Sequence, residues 1–215
     1  MSATNRITAG YLLQSKAIIL EPSNPFTWAS GWLSPIYCDN RVTLSYPEIR
    51  NHIKTAFKTM ILEQFGKPDL VAGVATGAIA QGALVADEMG LPFVYVRSSV
   101  KEHGRKNLVE GRLEAGQRVV VVEDLVSTGG SSLRAIEALR NAGGIVTGMV
   151  AVFTYGFDLA EKAFRQAGVR FYALSDYPTL IDMALETGYI EPDQMEMLNQ
   201  WRRDPASWKG NSELS

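Results

Sequence analysis

Cysteine is nearly absent: Cys38 is the only one in 215 residues. One thiol cannot build a disulfide framework within a chain, which fits a reducing compartment and leaves Cys38 as a half-buried free thiol. The first ten residues are polar and lack the apolar run of an export signal. No apolar stretch approaches the ~20 residues that a membrane helix needs. An excess of one charge is missing too. Lys and Arg number 21 against 23 Asp and Glu, a net charge of -2, so broad electrostatic attraction to nucleic acid or a membrane is not expected. There is no internal repeat, no low-complexity tract and no long linker. The nucleotide motifs GxxxxGK[ST] and GxGxxG are absent, which argues against a P-loop kinase and a dinucleotide-binding domain. The remaining picture is a soluble, cytoplasmic protein of one domain, residues 1–215. Its 46% hydrophobic residues suffice for a full core.

The hydrophobic pattern alternates between strand and helix. A short helix is expected over residues 8–20, then a turn-rich loop over 22–35. A second helix is expected after Ser45 as cap, with Pro47 in its first turn and Ile49, Ile53, Phe57 and Ile61 on its buried face. Strands are expected at 70–74, 93–96, 118–122, 145–153 and 169–174, with helices at 78–89, 131–142 and 159–167 between them. Residues 98–116 form a long charged stretch with little periodicity, and 178–208 suggest two short helices. Such alternation predicts a mostly parallel sheet flanked by helices. Four consecutive valines after Arg118 suit a strand buried on both faces.

That valine run leads into Glu123-Asp124-Leu125-Val126-Ser127-Thr128-Gly129-Gly130-Ser131. In an open parallel sheet, the acids and the loop then lie at the carboxyl ends of the strands, where ligands bind. The glycines let backbone approach a ligand. Free N–H groups at the next helix start, and the helix dipole, favour an anion. Ser127, Thr128 and Ser131 add hydroxyl donors. The acids would repel phosphate but accept hydrogen bonds from sugar hydroxyls, so the composite suits a phosphorylated sugar.

This string resembles the motif by which type I phosphoribosyltransferases bind phosphoribosyl pyrophosphate (PRPP). The resemblance spans nearly the whole chain, and three further segments sharpen it to the orotate phosphoribosyltransferases. Arg97 through Lys101, His103 and Gly104 to Gly111 is similar to their catalytic loop, with further charge on Arg105 and Lys106. Gly73 to Ala78, containing Thr76 and Gly77, resembles their pyrophosphate loop. Phe26 to Arg41, containing Ser34-Pro35-Ile36-Tyr37, resembles the hood that lies against orotate.

The resemblance implies the type I fold with a small hood, mainly residues 1–45, and C-terminal helices. It implies Mg2+-dependent transfer of ribose 5-phosphate from PRPP to orotate, giving orotidine 5'-phosphate and pyrophosphate in pyrimidine biosynthesis. Arg97, Lys101 and His103 are the implied catalytic and pyrophosphate-binding residues. PRPP is assigned to them and to Glu123, Asp124, Leu125, Val126, Ser127, Thr128, Gly129, Gly130, Ser131, Thr76 and Gly77. Orotate is assigned to Ser127, Ile36 and Tyr37. Mg2+ is expected through PRPP, pyrophosphate and water rather than through protein ligands. The implied assembly is a homodimer with shared active sites.

Some positions depart from the family pattern. Ala29, Ser98 and Gly77 stand where many or some members have lysine. Residues 153–156 lack the arginine that some members use for orotate's carboxylate. Arg41 or a pair of backbone N–H groups could substitute. A phosphoribosyltransferase for a purine, or a regulatory protein of the same fold that binds nucleic acid, would keep residues 123–131. The first should lack the loop and hood, and the second should carry a basic face.

Overall fold

The computed structural model describes residues 3–28, 31–99 and 108–210. The chain begins with helix α1 (Ala3–Gln14), followed by strands β1 (Ile18–Leu20), β2 (Phe26–Thr27), β3 (Leu33–Ser34) and β4 (Ile36–Cys38). A 3-10 helix (Asn40–Ser45) leads to α2 (Pro47–Phe65). Then come β5 (Leu70–Val74), α3 (Ala78–Met89), β6 (Phe93–Val96), β7 (Val109–Glu110), β8 (Arg118–Val126), α4 (Gly130–Asn141), β9 (Ile145–Thr154), α5 (Asp158–Gln166), β10 (Phe171–Asp176), α6 (Tyr177–Glu186) and α7 (Gln194–Arg203).

Six strands form the central sheet in the order β10-β9-β8-β5-β6-β7. All pairings are parallel except β6 with β7. The expected mostly parallel sheet is therefore present. From β5 the chain crosses through α3 to β6 on one side. From β8 it crosses through α4 to β9 on the other. The winding thus reverses between the neighbours β5 and β8, and the two loops leaving these strands face one crevice, the usual place for a ligand in such sheets. The valines of β8 divide between two cores. Val120 and Val122 pack on the side of α1, α2, α3 and α6, while Val119 and Val121 pack on the side of α4 and α5. No helix among the described residues is long and apolar enough to cross a membrane.

Several expected boundaries shift. The first helix is not residues 8–20 but Ala3–Gln14. Lys16 takes a left-handed φ of 57°, which ends the helix, and Ile18–Leu20 pairs instead with Ile36–Cys38. The loop at 22–35 contains the β2–β3 pair. Ser45 does not cap α2. Tyr46 does so in extended geometry, the conformation favoured before proline, and Pro47 opens the helix. The apolar face of α2 is as expected, with Ile49, Ile53, Phe57 and Ile61 all buried. Strand β8 runs to Val126 rather than 122, because Leu125 and Val126 still pair with Phe153 and Thr154. The charged stretch hides β7, whose two residues are too few to show a period.

The hood rests on the C-terminal helices through an aromatic cluster. Trp201 of α7 is fully buried. Its ring centroid lies 5.6 Å from Trp28, 5.6 Å from Tyr155 and 5.5 Å from Tyr177. Its indole N–H donates to the carbonyl of Leu33 at 3.3 Å. Arg202 donates to the carbonyls of Tyr155 (3.2 Å) and Gly156 (3.1 Å). The C-terminal helices therefore fasten the hood to the end of β9.

Candidate active site

A cleft of about 320 Å³ opens at the switch between β5 and β8. It brings Thr76 and Gly77 from one loop together with Glu123, Asp124, Leu125, Ser127, Thr128, Gly129 and Ser131 from the other. These segments lie some 50 positions apart in sequence, and the parallel pairing of Gly73 with Val122 sets them side by side. Val126 is buried in the core instead. Its carbonyl accepts from the Thr154 hydroxyl and from the Tyr155 N–H, both at 3.2 Å, which anchors the strand end. Gly130 begins α4 beside the cleft.

Glu123 is 4% exposed. Its Oε2 accepts from the Ser132 hydroxyl at 3.0 Å and its Oε1 from the Asp124 N–H at 3.1 Å. Burial, and then the charge of neighbouring Asp124, push its carboxyl well above the usual range. Asp124 reaches toward the opposite loop. A Cβ built on Gly77 would meet its carboxylate oxygens at 2.0 and 2.7 Å. A side chain at position 77 would therefore need the Asp124 carboxylate to turn away.

Gly129 has a φ of 81° and precedes α4 with no side chain in the way. The first N–H groups of α4 have no intrahelical partner and face the cleft with the positive end of the helix dipole. The Thr76–Gly77 loop carries no cation, and α3 begins at Ala78. The two ends of this site thus offer backbone N–H groups for anions, with acids between them.

A second cavity, about 430 Å³, shares Thr128 with the first and is lined by Trp32, Gly156, Phe157, Arg202 and Arg203 among others. In the hood, Ile36 is fully buried, and its carbonyl accepts from the Trp28 indole N–H (3.2 Å) and the Ser34 hydroxyl (2.8 Å). Tyr37 is 42% exposed and packs on Phe26. Cys38 is half-buried, as expected. Burial, then the charges of Asp124 and Asp39, hold its thiol well above the ordinary range, so it stays protonated. Arg41 is clamped by Asp39, with Nε to Oδ1 at 2.7 Å and Nη2 to Oδ2 at 2.9 Å.

Arg97 follows β6 and does not line the cleft. Its N–H donates to Leu108 at 2.9 Å, and its Nη1 lies 3.6 Å from Glu110 Oε1. These bonds close the base of the charged loop. Lys101 and His103, with Arg105 and Lys106, lie outside the described residues.

Sequence reasoning gave no role to Asn40 or Gln81. Asn40, buried at 1%, donates from Nδ2 to the Asp124 carbonyl at 2.6 Å. Gln81 donates to the Thr43 hydroxyl at 3.2 Å. Neither carries a local signal, since a buried amide is distinguishable from a solvated one only when its distant partner is known.

Residues 44–172 match the family described as the phosphoribosyl transferase domain. The orotate phosphoribosyltransferase of Bacteroides thetaiotaomicron is 60% identical over 208 residues, covering 97% of this chain and 98% of its own. That of Bacillus subtilis is 50% identical over 202 residues, covering 94% of each. The crystal structure of orotate phosphoribosyltransferase from Aeropyrum pernix superposes with a TM-score of 0.74 at 28% identity, covering 85% of this chain and 99% of that one.

Proposed function

The chain belongs to the phosphoribosyltransferase family, among its orotate phosphoribosyltransferases, and from this we propose how its residues divide the work. The reaction joins N1 of orotate to C1' of the PRPP ribose as the C1'–O bond to pyrophosphate breaks. The products are orotidine 5'-phosphate and pyrophosphate, on the route to pyrimidine nucleotides. The observation that carries the assignment is the convergence of the two loops at the β5–β8 switch, with an acid pair between two anion-binding backbone ends.

The 5'-phosphate is held by the N–H groups at the start of α4 and by the hydroxyls of Ser127, Thr128 and Ser131. The Asp124 carboxylate and the Glu123 carboxyl accept from the ribose hydroxyls, with Leu125 shaping the wall between them. Backbone N–H groups at Thr76 and Gly77 face the pyrophosphate. As the C1'–O bond breaks, C1' becomes cation-like and the pyrophosphate gains negative charge. Arg97, outside its own chain's cleft, acts with Lys101 and His103 across the dimer in the partner's site, stabilising that charge more in the transition state than in the ground state.

Orotate lies between Ser127 and the hood at the exposed Tyr37, with Ile36 buried behind it rather than in contact. Ile36 acts as the buried floor of the hood. For the orotate carboxylate, backbone N–H groups are the better candidates, because Arg41 is already engaged by Asp39.

The donors of the cleft are oxygens, and the described residues hold no cluster of three acidic, histidine or cysteine side chains that would cage a metal. This fits a Mg2+ carried in by PRPP, since Mg2+ keeps several waters and binds readily through phosphate oxygens. Asp124 is the protein carboxylate that would accept from its waters. When bound, Mg2+ neutralises part of the pyrophosphate charge. The catalytic unit comprises residues 1–215, with the hood mainly from 1–45. It works as a homodimer in which the loop following Arg97 serves the partner's site, in the cytoplasm.

The test is to mix protein, PRPP, MgCl2 and orotate and follow the loss of orotate absorbance. Expected is PRPP-dependent loss, abolished by EDTA, restored by excess Mg2+ and not reproduced with adenine, hypoxanthine or guanine. PRPP binding without turnover of orotate would overturn the base assignment.

A further inference from the structure

We infer that Asn40 is a positioning residue for Asp124, and that it acts from the hood by replacing a missing strand. This rests on the assignment of Asp124 to the ribose of PRPP.

The pairing of β5 with β8 stops at Gly73 and Val122, two residues before Asp124. On the other side, the register with β9 pairs Glu123 with Ala151 and Leu125 with Phe153 and passes over Asp124. Its carbonyl therefore emerges where no strand remains to satisfy it. The amide of Asn40 fills that place at 2.6 Å. Left unpaired, this partly buried carbonyl would lose that bond and its fixed direction.

Asn40 is itself fixed from several directions. Its Oδ1 faces the Cys38 thiol at 3.5 Å, and its own carbonyl accepts from the Thr43 hydroxyl at 2.6 Å. The Thr43 hydroxyl in turn accepts from Gln81 Nε2 at 3.2 Å. Gln81 sits in the first turns of α3, the helix that begins just after Gly77. The Asp124 carboxylate occupies the space that a β-carbon on Gly77 would fill. The contacts therefore close a ring: Asp124, Asn40, Thr43, Gln81, the start of α3, Gly77 and Asp124 again. The Asp124 backbone is held from the hood, and its carboxylate lies in the room that Gly77 leaves. Three segments remote in sequence thereby set the direction of one acid.

The experiment compares wild type with Asn40→Ala, Asn40→Ser, Thr43→Val and Asp124→Asn. KM for PRPP, KM for orotate, kcat and Tm are measured for each. Asn40→Ala is expected to raise the PRPP KM about tenfold, the scale of one lost hydrogen bond, with kcat and the orotate KM within about twofold. Asn40→Ser, which keeps a shorter donor, should lie between. Thr43→Val should shift PRPP in the same direction but less. A role in packing alone would lower Tm without separating the two KM values. An unchanged PRPP KM, or a rise confined to orotate, overturns the proposal. Should Asn40→Ala fail to fold, Asn40→Ser and Thr43→Val decide by the same criterion. If Asp124→Asn leaves the PRPP KM unchanged, the ribose assignment itself has failed. If Asp124→Asn raises it and the Asn40 variants do not, only the role of Asn40 has failed.

Discussion

Gly77 and Asp124 are in such close approach that a β-carbon on the first would lie 2.0 Å from Oδ2 of the second. The carboxylate must therefore turn away if residue 77 gains any side chain. Gly77→Ala should raise the PRPP KM by about tenfold while Tm falls only slightly, because the displaced group sits at the cleft and not in the core. Steady-state kinetics and a thermal melt check this. A normal PRPP KM would show that the direction of Asp124 is unimportant.

Glu123 is a buried acid, favoured in its protonated form by burial and by the charge of Asp124. The folded state binds this proton more tightly than the unfolded chain does. Its contribution to stability is therefore fully present below the ordinary Glu pKa and is lost as pH rises through the elevated folded value. Glu123→Gln keeps an acceptor for the Asp124 N–H and can donate to Ser132. It should melt higher than wild type at pH 7.5, lose that advantage near pH 4, and turn over more slowly. Melts at the two pH values decide; an advantage that persists at pH 4 would rule out the charge as its source.

Trp201 joins the C-terminal helix to the hood through its rings and its bond to Leu33. Trp201→Ala should destabilise the fold by about 3–5 kcal/mol, as expected for a large buried aromatic. Trp201→Phe should cost less, leaving the Leu33 carbonyl unpaired at about 1 kcal/mol. In the folded Phe variant, the orotate KM should rise more than the PRPP KM, because Leu33 and Ser34 belong to the hood. Chemical denaturation and the two KM values test both parts.

Lys101→Ala should lower kcat about 10²-fold with a far smaller change in PRPP affinity, because its charge is needed chiefly as pyrophosphate leaves. Single-turnover rates together with a PRPP binding isotherm measure this directly. An unchanged kcat with a raised KM would assign Lys101 to ground-state binding alone.

Much of this molecule was legible along the chain. The strands at Leu70–Val74 and Phe93–Val96 and the helix Ala78–Met89 stand at their expected bounds. Each is a strong apolar pattern flanked by punctuation such as Gly90 and Pro92, and the forces that set it act over a few residues. The candidate loop at 123–131 stood out for the same reason: its acids, hydroxyls and glycines are contiguous, so chemistry and local geometry share one string. Less legible were the elements whose stability comes from a distant partner. Ile18–Leu20 has no strand period of its own and is a strand because Ile36–Cys38 lies beside it. Val109–Glu110 exists through Tyr95 and Val96.

The sequence by itself determined the alternation of strands and helices, the two cores served by the β8 valines, and the loop that suits a phosphorylated sugar. Tertiary structure alone decided that Gly77 would touch Asp124, that Asn40 would complete its backbone pairing, and that Trp201 and Arg202 would secure the hood. The physical reason is range. Hydrophobic period and turn chemistry are fixed by neighbours in sequence. A buried amide, a missing β-carbon or an indole N–H acquires its meaning only from the atom that the folded chain brings opposite it.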